Sequence, residues 1–155
     1  MKPKYKRLIL CLAIPLATGG LAALFSGGMS GFSQLRQPPL SPPGWLFPVV
    51  WTILYLLMGY ASYRALESDA PAQQKATALS FYSAQLFVNF LWPILFFRFD
   101  LYLTAFLVLL VLWLLILLTV RAFSRVEETA SDLLLPYLLW VTFAGYLNLG
   151  VFLLN

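Results

Sequence analysis

The chain has 155 residues, 61% of them hydrophobic and only 10% charged, with a mean hydropathy of +0.84. A soluble domain of this size has too little interior to hide so much apolar surface, whereas a bilayer removes the need to, so the composition excludes a soluble globular protein and makes lipid the first partner. The net charge of +4 is no nucleic-acid footprint: four of the ten basic residues (Lys2, Lys4, Lys6 and Arg7) stand just before the first apolar run, where a topology signal belongs.

That run, residues 8–25, is read as a retained first transmembrane helix and not as a cleaved signal peptide, since no small-x-small cleavage site follows it. Pro15 lies inside it and deprives the Cys11 carbonyl of its helical partner, which predicts a kink. Residues 26–43 are dense in glycine and proline and form the longest polar interruption, more than a connection needs; they are a candidate lid, or a tether. Ser41 is expected to cap the second span, residues 44–66, with Pro42 and Pro43 in its first turn. Pro48, Trp51, Tyr55, Met58 and Ser62 share one face of that span, a stripe suited to the wall of a pocket for a flat apolar ligand.

A hydrophilic turn over residues 67–77 leads to a third span at 78–97, where Phe81, Gln85, Asn89, Trp92 and Phe96 share a face. Side-chain amides at membrane depth demand a partner. Glue between helices, worth about 0.6–2 kcal/mol per contact, and a polar point in a pocket are both open for Gln85 and Asn89. Pro93 adds a freed backbone acceptor at Asn89. A very short turn makes the fourth span, 101–120, the antiparallel neighbour of the third. This fourth span carries no Asp, Glu, Lys or Arg and is expected to face lipid. The fifth span, 133–154, carries Pro136, Tyr137, Trp140, Ala144 and Asn148.

Trp45 and Trp113 fit an interfacial belt, whereas Trp51 and Trp140 lie deeper and are candidates for ligand contact through their π-faces and N–H donors. One cysteine and no histidine rule out an internal disulfide, disfavour a zinc or haem site, and remove the commonest general base near neutral pH. No catalytic residues are expected, no metal site, and no required cofactor. All six carboxylates fall in turns or at span ends. The lack of intramembrane charge and of internal repeats weakens a transporter reading. Eight basic residues on the N-terminal side against Arg36 and Arg98 on the lid side predict a cytoplasmic N-terminus in a bacterial cell membrane.

Three motifs in sequence carry a resemblance: P-P-G-W followed by W-x-x-x-Y-x-x-M-G-Y (Pro42 to Tyr60), Q-L-x-x-N-x-x-W-P (Gln85 to Pro93), and P-Y-L-x-W-x-x-F-A-x-x-L-N (Pro136 to Asn148). On these residues the chain resembles the TspO/MBR family. The resemblance implies an all-α five-helix transmembrane bundle, commonly a homodimer, with a ligand pocket under the loop after span one. It implies a receptor for tetrapyrroles such as protoporphyrin IX or haem, with porphyrin as ligand, acting as sensor, carrier or scavenger. Porphyrin transport and light-dependent porphyrin breakdown by pocket tryptophans, here Trp51 and Trp140, are the alternatives. The pocket residues it implies are Pro42, Pro43, Trp51, Tyr55, Asn89, Trp92, Trp140, Phe143, Ala144 and Leu147. Three departures stand out. Leu40 replaces a usual Trp, Gly31-Phe32 replaces an aromatic pair in the lid, and the sterol-recognition pattern of animal members is absent after Asn148, so recognition is expected to fall on Trp51.

Overall fold

The computed structural model describes residues 2–29 and 31–155. Among them there is no strand, and the helices are α1 (Pro3–Ser26), α2 (Leu46–Glu67), α3 (Ala72–Pro93), α4 (Tyr102–Ser124), α5 (Glu128–Leu133) and α6 (Leu135–Leu154). A π-helical segment, Ile94–Arg98, prolongs α3, and α5 runs into α6. This gives five spans of 22 to 27 residues, each long enough at 1.5 Å per residue to cross the roughly 30 Å of hydrocarbon. The expected five-helix bundle with a long loop after its first span is what forms, and it makes this an integral membrane protein. Around the ring, α1 packs on α2 and α3, α3 on α4, α4 on α6, and α2 on the short α5. Helices α2 and α3 scarcely meet, and the space this leaves matters below.

Several boundaries depart from expectation for identifiable reasons. α3 begins at Ala72, inside the stretch read as a hydrophilic turn, because Ala-Gln-Gln-Lys-Ala is polar yet strongly helix-forming. α4 similarly runs on to Ser124, and the fifth span starts as α5 at Glu128, with a break at Leu134 two residues before Pro136. Ser41 is not a helix cap. Its hydroxyl donates to the Pro38 carbonyl at 2.7 Å, and the carbonyls of Pro43 and Gly44 accept instead from Leu46 and Phe47 at 3.0 and 3.3 Å. Pro42 and Pro43 thus form the approach to α2 and not its first turn.

α1 continues as helix through Pro15. The carbonyl that Pro15 frees, that of Cys11, lies against Gly59 of α2. A Cβ built on Gly59 would stand 2.5 Å from that oxygen and 2.8 Å from the Leu12 Cα. Glycine here allows backbone-to-backbone approach of two helices, the packing that bilayers favour. On the side away from the lid, Met58, Ala61, Ala65, Ala78, Leu112, Ile116, Phe123 and Tyr137 are almost wholly buried and close the bundle. Two ion pairs on that side, Arg7 to Glu67 and Arg64 to Glu127, tie α1 to α2 and α2 to α5. The lid half is packed differently.

Candidate functional site

A cavity of about 750 Å³ lies at the lid end between α1, α2, α3 and α6. Each wall has a local cause. From α2, Phe47, Pro48, Trp51 and Tyr55 project at helical spacing, and the Trp51 ring stacks on Tyr55 with centroids 5.6 Å apart. From α1 the wall is Leu16, Gly19, Ala22 and Ala23, small groups that leave the volume open. Glycine at position 19 lets the Tyr55 ring lie against α1: a Cβ there would overlap the ring and force it to move. From α3 come Asn89, Trp92 and Pro93. Beyond Pro93 the helix widens into its π segment, closed by Phe99 N–H to Ile94 C=O at 3.3 Å, and Phe96 and Phe97 enter the cavity wall. α6 contributes Ala144, Leu147 and Asn148.

The polar atoms along this wall satisfy one another. Tyr55 Oη donates to Asn89 Oδ1 at 2.8 Å, Asn89 Nδ2 donates to Tyr137 Oη at 2.7 Å, and Tyr137 Oη donates to Gln85 Oε1 at 2.6 Å. A second chain runs from Trp92 Nε1 to Asn148 Oδ1 at 2.9 Å and from Asn148 Nδ2 to the Tyr102 carbonyl at 2.9 Å. Gln85 is 1% exposed and Asn89 3%, so the two readings of the amides divide by residue. Gln85 is interhelical glue outside the cavity, and Asn89 is glue and cavity wall at once. Among the described residues, the indole N–H of Trp51, a lining residue, has no acceptor. No charged side chain among the described residues lines the cavity.

The loop over the cavity is docked, which decides for a lid against a tether. Phe32, buried in a short 3₁₀ turn (Phe32–Gln34), packs against Phe47, Phe96 and Phe97 with centroids 5.3 to 6.4 Å apart. Further along, Tyr146 Oη donates to the Pro39 carbonyl at 2.7 Å, and the Asn155 amide exchanges two hydrogen bonds with the Arg36 backbone, at 2.8 and 3.2 Å. Pro38 fits against Gly150, where no Cβ has room. Leu40, in place of the usual ring, is left-handed in φ and 85% exposed, adding nothing to the site.

Of the ten residues predicted for the pocket, Trp51, Tyr55, Asn89, Trp92, Ala144 and Leu147 line the cavity. Trp140 and Phe143 do not. They lie in a shallower recess of about 420 Å³ between α2 and α6, together with Ile53, Leu57 and Pro136. Phe47 stands between, 5.9 Å from Trp140 and itself on the cavity wall. Pro42 and Pro43 line neither space. Sequence reasoning missed the α1 wall, Phe32, Phe47, Phe96 and Phe97. A Gly19-Gly20 pair in an otherwise large-residue helix was the one available signal. Trp45, read as interfacial, stands at the cavity rim, 68% exposed.

Comparison with known proteins agrees with this architecture. The model of the TspO/MBR family matches residues 11–154. A protein of Chlorobaculum tepidum named tryptophan-rich protein TspO is 36% identical over 157 residues, covering 100% of this chain and 99% of the relative. The tryptophan-rich sensory protein of Cereibacter sphaeroides is 40% identical over 124 residues, covering 80% of this chain and 76% of the relative. The translocator protein of Bos taurus is 33% identical over 151 residues, 96% of this chain and 89% of the relative. The family match and these relatives together span nearly the whole chain, which belongs to the TspO/MBR family.

Proposed function

We propose that the protein is a membrane receptor for flat, apolar ring systems, tetrapyrroles such as protoporphyrin IX foremost, acting as a sensor, carrier or scavenger. The observation that carries this reading is the cavity itself, of about 750 Å³, walled by Phe47, Trp51, Trp92, Phe96 and Phe97. The indole N–H groups of Trp51 in the wall and Trp45 at the rim are, among the described residues, without a hydrogen-bond acceptor. A planar macrocycle offers both the faces such rings stack on and an acceptor for the Trp51 N–H. A relative named as a sensory protein supports the receptor class. The same reading places the N-terminus in the cytoplasm of a bacterial cell, on the basic-residue count, and two copies in the working unit.

Protoporphyrin IX titrated into the protein in nanodiscs, followed by its absorbance, is expected to bind saturably. Trp51→Phe removes the donor and part of the stacking area and should weaken binding roughly three- to tenfold, in keeping with about 0.5–1.5 kcal/mol for an aromatic pair. Trp140→Phe, outside the cavity, should leave the affinity unchanged. Equal affinity in wild type and Trp51→Phe defeats the placement.

One contact favours photo-oxidation of a bound porphyrin as the second reading. Trp51 touches both Tyr55 and Tyr137, at 5.6 and 6.1 Å between centroids, so an oxidised indole has phenols beside it to draw electrons from. Illumination in air of the complex tests this; bleaching no faster than that of free porphyrin in empty nanodiscs sinks it.

A further inference from the structure

Among the described residues that line the cavity none is charged, so a ligand with ionised acids must keep them at its rim, since an unpaired carboxylate inside an apolar site is too costly. The described lid-side surface carries Arg36 and Arg98 as its cations and Asp100 as its carboxylate. Arg98 is the better placed of the two cations. It follows Phe97, which lines the cavity, and its Nη1 donates at 3.0 Å to the carbonyl of Phe25, which precedes Ser26, another lining residue. The guanidinium thereby joins the end of the π segment to the end of α1, and each of the two residues it links is the sequence neighbour of a lining residue. It also lies 5.9 Å from the Phe99 ring centroid, which further fixes its position. Its remaining N–H donors are free of carboxylates: the ion pairs among the described residues are Arg7–Glu67 and Arg64–Glu127. Asp100 accepts instead from Tyr102 Oη at 3.4 Å. Arg36 is tied through its backbone to Asn155 at the end of α6, on the other flank of the lid.

We propose that Arg98 anchors the acidic edge of the ligand, so that the cavity prefers a flat apolar body bearing a carboxylate on one side, oriented with its acid toward the lid. This rests on the receptor reading above and adds to it an orientation and an anchoring residue. A guanidinium suits the task because its planar fork pairs with a carboxylate through two parallel hydrogen bonds.

The test compares protoporphyrin IX with its dimethyl ester, titrated against wild-type protein, Arg98→Gln, Arg98→Lys and Arg36→Gln in neutral-lipid nanodiscs. Wild type should bind the diacid at least fivefold more tightly than the diester, with the preference shrinking as salt is raised. Arg98→Gln should abolish the preference while binding the diester as wild type does, which also shows that the variant is folded. Should Arg98→Gln lose the diester as well, Arg98→Lys decides: a kept acid preference supports the anchor, and a lost one overturns it. Loss of the preference in Arg36→Gln with Arg98→Gln unaffected also overturns it. Equal binding of diacid and diester by wild type overturns the anchor but leaves the receptor reading standing. Failure to bind either removes the receptor reading itself.

Discussion

At the scale of single residues, Tyr137 has the most to lose. Its hydroxyl accepts from Asn89 and donates to Gln85, so Tyr137→Phe strips a partner from Asn89 Nδ2 and from Gln85 Oε1 at once. Tyr55→Phe removes only one donor, on an oxygen of Asn89 that borders the cavity. Leaving a buried polar group unpaired costs about 1–3 kcal/mol. Thermal unfolding in detergent should therefore show Tyr137→Phe clearly below Tyr55→Phe, and equal melting temperatures would contradict the network. The amides themselves were legible in the sequence, because a polar side chain in an apolar span demands a partner. Which partner was not, since Tyr137 lies 48 residues beyond Asn89 and its hydroxyl leaves no trace in the periodicity. Trp140 shows the same limit. Its depth in α6 could be counted, but the rotation that sends it to the outer recess is set by how Phe47 and Phe143 pack around it, at 5.9 and 5.6 Å.

Among the elements, the α1–α2 pair depends on one small side chain. Gly59→Ala drives a methyl group into the Cys11 and Leu12 backbone, which has no rotamer by which to yield, and overpacking of this kind costs about 1–3 kcal/mol. Gly20, where nothing lies within 4 Å of a built Cβ, should accept alanine with no loss of melting temperature. A Gly59→Ala protein as stable as wild type would mean that the two helices are not held at this point. The spans were legible because hydropathy reports burial in lipid directly. Their ends were not, because Ala72 to Thr77 and Glu128 to Leu133 are polar and helical together. The docking of the lid was hidden for a related reason: its anchors join residues 107 and 119 positions apart. Asn155→Ala combined with Tyr146→Phe removes the side-chain hydrogen bonds that hold it to α6. Stopped-flow dissociation of bound porphyrin should become faster in that variant, and an unchanged rate would show that the packing of Phe32 and Pro38 suffices to hold the lid.

For the whole molecule, the ring of helices separates two jobs. The half away from the lid, where Met58, Ile116, Phe123 and Tyr137 are 0 to 1% exposed, holds the spans together, while the lid half is left open enough to enclose a guest. Charge follows the same division, with both ion pairs on the closed side. Orientation can be read with cysteines, since the sole native thiol, Cys11, is buried. In a Cys11→Ser background, a cysteine placed at Asp69 or Arg125 should resist a membrane-impermeant maleimide in intact cells, and one at Leu40 should react. The opposite pattern would invert the assignment from charge.

The self-satisfied polar chain from Tyr55 to Gln85 also bears on the heat of binding. Water in the cavity has few free protein groups to hold it, and a ligand entering there breaks no hydrogen bond of Asn89, Tyr137 or Asn148. Calorimetry of binding should therefore be governed by buried apolar area, with a negative heat-capacity change as its mark. The binding enthalpy should accordingly grow more favourable as the temperature rises.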